Sequence, residues 1–139
     1  MSSGDRERRS FALACALMAL GSLFVRPAGG QTLQDFFTNR VVVTNLSGKI
    51  LQNNSTATVE VGEPKHGGKT GGHSLWISWQ AVSNGIVTFK TETSGFDTLL
   101  SAYQFTTTNG TTFADLREVA RADDSEGFER ESEVEFGVV

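Results

Sequence analysis

Residues 73–93 read HSLWISWQAVSNGIVTFKTET, and this stretch decides the fold class. In its first half, Leu75, Ile77 and Trp79 on one face alternate with Trp76 and Ser78 on the other. Alternation with a period of two is typical of a β-strand that is buried on one side. The turn-forming Ser83-Asn84-Gly85 separates this strand from a second alternating run, Ile86–Thr93. The spacing predicts a β-hairpin.

The rest of the chain has the same strand character, and no helical stripe lasts more than two turns. Further strands are expected at Val41–Thr44, Thr56–Val61, Thr98–Phe105, Phe113–Arg121 and Ser132–Phe136. Phe113–Arg121 also has helical spacing, so it is predicted to be mostly strand, with a helical turn at Ala114–Glu118 as the alternative. In the last strand, apolar residues alternate with glutamates, which predicts a charged outer face. Short, regularly spaced strands without intervening helices favour an all-β, jelly-roll-like antiparallel β-sandwich.

The first 30 residues have the features of a cleavable export signal. Three arginines come first, at Arg6, Arg8 and Arg9. An uncharged apolar run, Phe11–Val25, follows them, and small residues at Ala28 and Gly30 favour cleavage before Gln31. Fifteen apolar residues are fewer than the roughly 20 that a membrane-spanning helix needs. We therefore predict a signal peptide at 1–30, a single domain at 31–139, and a secreted or cell-surface location without a membrane anchor.

Removal of this signal changes the charge and the cysteine content of the chain. It takes away four arginines and two acidic residues, so the net charge moves from −4 to −6. A phosphate backbone would be repelled, which argues against nucleic acid as a partner. The only cysteine, Cys15, is lost as well, so the domain has no internal disulfide and depends on packing for its stability.

Four short motifs give the domain a family resemblance. They are GEPKHG at 62–67, GHSLWISW at 72–79, FDTLLSAY at 96–103 and ADD at 122–124. In this order they resemble the pattern GEPxHxG, SxWxxW, FDTxLxxY and NDD of the bacterial pre-peptidase C-terminal domains, which have a jelly-roll fold. The resemblance extends from about Asp35 to Val139, with alanine in place of the usual asparagine at position 122.

The resemblance implies a module of a large secreted protein, with neighbouring domains in a longer parent chain. Domains of this kind occur as repeats or beside enzymes. In the family a turn and a strand of the type YxIAVDG follow the last strand seen here. The resemblance therefore implies that the domain at 31–139 lacks its final strand.

The glycine-rich motif is interpreted as a turn held by its own polar side chains. Its principal residues are Gly62, Glu63, Pro64 and His66. We expect Glu63 and His66 to form hydrogen bonds with the backbone of the turn. Zinc binding by Glu63, His66 and His73 is the alternative, but their spacing matches no usual ligand pair.

Three aspartates are the best metal candidate in the sequence. Asp97, Asp123 and Asp124 lie in loops, and calcium prefers carboxylate and carbonyl oxygens supplied by loops. The alternative for Asp97 is a turn cap at the start of the next strand. We expect no other cofactor.

Trp76 is the candidate ligand-binding residue. It lies three positions before Trp79 in one strand, so the two side chains point to opposite faces. Trp79 shares the apolar face and is assigned to the core. We therefore expect Trp76 to face outward or to lie under a loop. An exposed indole stacks on a sugar ring or anchors a peptide, and the alternative role is to cover a sheet edge.

Catalysis is not expected. The domain has no cysteine, no Gly-x-Ser-x-Gly elbow, and histidine only at His66 and His73 in the glycine-rich segment. The leading hypothesis is an accessory or adhesion-type module that binds protein or polysaccharide. A structural spacer or folding aid for a neighbouring enzyme domain is the alternative, and a secreted hydrolase ranks last.

Overall fold

The computed structural model describes residues 10–17, 33–44, 47–108, 110–125, 127 and 130–139. Within these ranges the chain forms seven strands and two short 3-10 turns, Phe37–Asn39 and Phe113–Asp115. The strands are β1 (Ser10–Leu17), β2 (Val41–Val43), β3 (Ser74–Gln80), β4 (Gly85–Lys90), β5 (Thr98–Phe105), β6 (Leu116–Ala122) and β7 (Glu133–Val138). No helix in the described ranges is long and apolar enough to span a membrane. The predicted cleavage site lies outside the described residues.

The strands form two sheets. One has five strands in the order β2-β3-β1-β5-β6, and the other consists of β4 and β7. All pairs are antiparallel except β2 and β3, which run parallel. The all-β prediction is thus confirmed, while the expectation of purely antiparallel pairing is wrong at β2.

The predicted hairpin between β3 and β4 does not form, because the two strands belong to different sheets. Both edges of β3 are occupied, by β1 on one side and β2 on the other. The turn at 83–85 instead carries the chain across to β4, where Phe89 packs edge-on against Trp79 at 5.8 Å between ring centroids. Alternation alone cannot separate the two outcomes, since it shows which face of each strand is buried but not which strand lies at its edge.

The main core lies between the two sheets. Its buried members are Trp79, Leu100, Ala102, Val134, Phe136 and Val138. The first three come from the five-stranded sheet and the last three from β7. In β7 the buried residues alternate with exposed ones that include Glu133 and Glu135, which confirms the predicted charged outer face. Trp79 is 7% exposed, as its assignment to the core predicts.

The predicted strand at Thr56–Val61 is wrong, since this segment forms turns and irregular structure. Its backbone amides bond to nearby groups instead of a neighbouring strand. The amide of Thr58 donates to a carboxylate oxygen of Asp35 at 2.7 Å, and that of Ala57 donates to the carbonyl of Asn54 at 2.8 Å. The β-branched composition therefore predicts an extended segment but not its partners.

The central strand of the larger sheet is β1, and it falls within the predicted export signal. Ser10–Ala16 pairs with β3, and Phe11–Leu17 pairs with β5, both antiparallel. The segment that forms the central strand of this sheet thus overlaps the apolar run of the predicted signal.

Candidate functional site

The side of β3 that faces away from the main core carries a second buried cluster, centred on Trp76. Phe37 and Tyr103 are its other buried members. The ring of Phe37 meets the indole edge-on at 5.0 Å between centroids, and Phe113 lies 5.6 Å away. The two aromatic residues that cover the indole come from the two 3-10 turns, so β3 is buried on both faces.

Of the two placements predicted for Trp76, the outward one is wrong, and the ring lies under loop segments. Its side chain has no exposed surface, because both 3-10 turns and the glycine-rich segment fold over it. In this arrangement the ring is not available to stack on a sugar or to anchor a peptide. Among the described residues the indole Nε1 has no hydrogen-bond partner.

His66 connects the glycine-rich motif to this cluster. Its Nε2 lies 2.7 Å from Oε1 of Glu63, and its Nδ1 lies 2.9 Å from the hydroxyl of Tyr103. When Nε2–H donates to the carboxylate, Nδ1 accepts from the tyrosine, so one tautomer satisfies both ring nitrogens. The imidazole also meets Trp76 edge-on at 5.3 Å. The side chains of Glu63 and His66 are only 2% and 1% exposed.

The electrostatics of this cluster favour a charged Glu63 and a neutral Tyr103. Burial by itself raises the pKa of Glu63, but hydrogen bonds from His66, Ser74 and the Glu60 amide outweigh it, and the pKa is lowered overall. Burial raises the pKa of Tyr103 to about 12. The ring of His66 therefore lies between an anion and a neutral donor.

The geometry of the turn shows why its motif contains glycine. Gly62 has a φ of 85°, in the left-handed region that glycine adopts without strain. The Glu63 carboxylate accepts the Glu60 amide at 2.8 Å, the side-chain to backbone bond that the sequence predicts. His66 differs from the prediction because its partners are side chains. His73, the third zinc candidate, is instead bonded through Nδ1 to the carbonyl of Ala57 at 2.5 Å.

Arg40 closes the cluster on the side of the β2 edge, and the sequence analysis did not identify it. Its guanidinium carbon lies 4.2 Å from the ring centre of Phe37 and 4.8 Å from that of Phe105. Its nitrogens donate to Ser78 Oγ at 2.7 Å, to the Phe37 carbonyl at 2.9 Å and to the Gly110 carbonyl at 2.6 Å. Burial lowers its pKa. One side chain thus joins three separate segments.

We expect Arg40→Lys to destabilise the protein by about 2–3 kcal/mol, although the positive charge is kept. A lysine ammonium cannot reach three divergent acceptors from one planar group, and it stacks less well between two rings. Urea unfolding at neutral pH measures the change. Arg117→Lys is a matched control, because Arg117 is exposed and bonds only Gln104 among the described residues. Equal losses in the two variants would contradict the bridging role of Arg40.

The three aspartates predicted to bind calcium lie near one lysine. The ammonium of Lys69 forms an ion pair with Asp123. The bond to Asp123 is the main cause of a raised pKa at Lys69, and the charges of Asp97 and Asp124 add to it. Within the described ranges, no three His, Cys, Asp or Glu side chains are placed to hold a metal ion. Calcium binding gains no geometric support and stays a prediction.

The described surface also has a cavity of about 370 Å³ at the β2 edge. Its lining mixes apolar and polar groups, among them Arg40, Val42, Ser78, Trp79, Phe105 and Thr111. Val42 is 57% exposed and forms the rim on the edge strand. The cavity thus reaches the motif residues Ser78 and Trp79.

Comparison with known proteins adds no relative to this picture. No family model matches the chain, and neither the curated proteins nor the solved structures give a match.

Proposed function

We propose that this chain is a secreted, non-catalytic accessory or adhesion-type module that binds protein or polysaccharide. One observation carries the proposal. His66, Trp76 and Tyr103 belong to three of the four sequence motifs, and they meet in one buried cluster. Both ring nitrogens of His66 are bonded within the cluster. These three motif residues therefore serve the fold, which supports a module whose binding groups lie on another surface.

The proposal includes the architecture and the location of the domain. Two sheets that share one core fit the jelly-roll-like sandwich of the pre-peptidase C-terminal domains, which the four motifs resemble. The charge and length of residues 1–30 support export across a membrane. The engagement of His73 by a backbone carbonyl and of His66 by two side chains supports a non-catalytic role.

The cavity at the β2 edge is the surface we assign to binding. An exposed valine beside aromatic walls offers apolar contact, while the neighbouring hydroxyl and amide groups offer hydrogen bonds. Because β2 is an edge strand of its sheet, a ligand can approach it without displacing another strand.

Substitution of the cavity rim tests this assignment. We expect Val42→Asp to lower retention on insoluble cell-wall polysaccharide, or on an immobilised protein ligand, by at least about tenfold, because binding would desolvate a new charge. Ile86→Asp is the matched control, since Ile86 is 75% exposed on the smaller sheet and lies away from the cavity. Equal retention of both variants would contradict a binding role for the cavity.

A structural spacer or folding aid for a neighbouring domain is the second candidate. The burial of Trp76 favours it, because burial removes the strongest sequence argument for a ligand-binding aromatic residue. Failure of the unsubstituted protein to bind any polysaccharide or protein probe in the retention experiment would support the spacer.

A further inference from the structure

The larger sheet contains a strand-wide slot between β3 and β5. These two strands do not pair with each other, since each bonds to β1, which lies between them. Both run antiparallel to β1, so they are parallel to one another. With one strand removed, the facing edges would stand about 10 Å apart, twice the usual strand spacing. Each edge would present a row of unpaired backbone donors and acceptors.

Side chains hold this slot open on both faces of the sheet. On one face Trp76 of β3 lies 6.1 Å from Tyr103 of β5 between ring centres, and His66 contacts both. On the other face Trp79 of β3 and Leu100 of β5 belong to the same buried core cluster. Direct pairing of β3 with β5 would require one half of the sheet to move by about 5 Å against both clusters. The slot therefore cannot close by a local adjustment.

The chemistry of the slot limits what can occupy it. Its walls are Ser74–Gln80 and Thr98–Phe105, and neither contains a charged residue. Six of the seven residues of β3 are buried. A charged strand would be desolvated there without a counter-ion, and a proline would remove a backbone donor. The segment Ser10–Leu17, SFALACAL, meets both requirements because it is uncharged and has no proline.

We propose that the slot is a strand-acceptor site, which in the processed protein takes an extended, uncharged segment of a second polypeptide. The inference rests on the proposed export, because signal cleavage breaks the covalent link between β1 and the domain and so allows another strand to replace it. Every strand in the described ranges already belongs to a sheet, so a second processed copy has none to spare. A partner that presents its own strand would restore pairing to both edges, as in β-strand addition.

Cleavage of the intact folded chain tests the proposal without assuming that a fragment folds alone. A protease recognition sequence is inserted after Gly30, the purified protein is cut, and the products are separated by size under native conditions. We expect the N-terminal piece to stay bound after the cut. A labelled synthetic peptide of sequence SFALACAL, carrying solubilising lysines at both ends, should then displace it in a 1:1 ratio.

Peptide variants test strand pairing while the protein itself remains unchanged. A peptide with Leu13→Pro loses a donor in the middle of the strand and should bind at least about tenfold more weakly. A peptide with Ser10→Pro is the matched control, since proline is tolerated at the first residue of a strand. Equal affinity of the two proline peptides would overturn the proposal.

The remaining outcomes separate the other occupants. Immediate loss of the N-terminal piece, with no peptide binding afterwards, would overturn the acceptor site. Stable dimers that the peptide does not dissociate would also overturn it, because they would show that a second copy of the chain occupies the slot. Export is judged separately by N-terminal sequencing of secreted protein, which should begin near Gln31. Recovery of secreted protein that still begins at Met1 would contradict the export proposal. The peptide-binding data would still test whether the slot accepts a strand.

Discussion

His66→Leu is expected to lower the free energy of unfolding by about 3–5 kcal/mol at neutral pH. The substitution removes the group that bonds the Glu63 carboxylate at 2.7 Å, and it leaves this anion buried with a side-chain exposure of 2%. Losing a hydrogen bond to a buried charged group costs about 1.5–3 kcal/mol, because the carboxylate loses one of its donors but keeps its desolvation cost, and the lost packing of the ring adds to this. Tyr103 also loses its hydrogen-bond partner at Nδ1. Urea unfolding followed by tryptophan fluorescence measures the change.

Two further variants separate loss of the pair from loss of packing. Tyr103→Phe removes only the hydroxyl and should cost about 0.5–1.5 kcal/mol. The double variant Glu63→Gln/His66→Leu removes the charge but keeps an acceptor for the Glu60 amide, so it should be more stable than His66→Leu alone. A double variant that is less stable than the single one would contradict a buried anion at this position.

The same pair predicts how stability depends on pH. The pKa of Glu63 is lowered in the folded protein from its ordinary value of 4.5. The stabilisation is therefore complete above pH 4.5, and it is lost as the pH falls through the folded pKa. The stability difference between the parent protein and Glu63→Gln should accordingly shrink as the pH is lowered below 4.5. A difference that stays constant from pH 7 down to pH 3 would contradict this assignment.

Local patterns predict strands in this chain better than they predict the partners of those strands. Thr98–Phe105 has the predicted bounds, and the alternation of β7 is confirmed, because burial on one face leaves a period of two in the sequence. The partner of β3 could not be deduced in this way. Alternation specifies a buried face, whereas pairing depends on which edges remain free, and both edges of β3 are taken.

The candidate site was only partly predictable for a related reason. The glycine-rich motif was assigned to a turn, and Glu63 forms the predicted bond to a backbone amide. Arg40 gave no local signal, because its acceptors at Ser78 and Gly110 lie far away in the sequence. A cluster of phenylalanines near Arg40, among them Phe37, was the available hint, since guanidinium groups stack on aromatic rings.

The outward placement of Trp76, which the structure contradicts, assumes a sheet with one solvent-exposed face. Alternation assigns Trp76 to the face opposite Trp79, and the structure does place the two rings in different clusters. That face is nevertheless shielded from solvent around Trp76, because Phe37 and Phe113 pack on the ring. Both phenylalanines belong to segments that have no strand periodicity. Short 3-10 turns are too brief to leave a hydrophobic repeat, so a second layer built from them is not apparent in the sequence.

Burial of Trp76 leads to the second large expected effect. Trp76→Ala should destabilise the protein by about 3–5 kcal/mol, the usual range for truncation of a buried aromatic residue, because Phe37 and Phe113 cannot both collapse into the space left by the ring. Trp76→Phe should be milder, since the indole Nε1 has no hydrogen-bond partner among the described residues and only volume is lost. Thermal and urea unfolding of both variants measure the difference.

An exposed valine provides the matched control for Trp76. Val61 is fully exposed, so Val61→Ala should change the stability by no more than about 0.5 kcal/mol. The competing interpretation makes Trp76 a surface residue that stacks on a ligand, and it predicts the opposite pattern. Under that interpretation Trp76→Ala would be as stable as Val61→Ala and would lose ligand binding. The Trp76→Ala variant is expected to be destabilised, yet to fold at low temperature and to be retained on polysaccharide like the parent protein. That result would show that the ring belongs to the core and that the ligand binds at another surface.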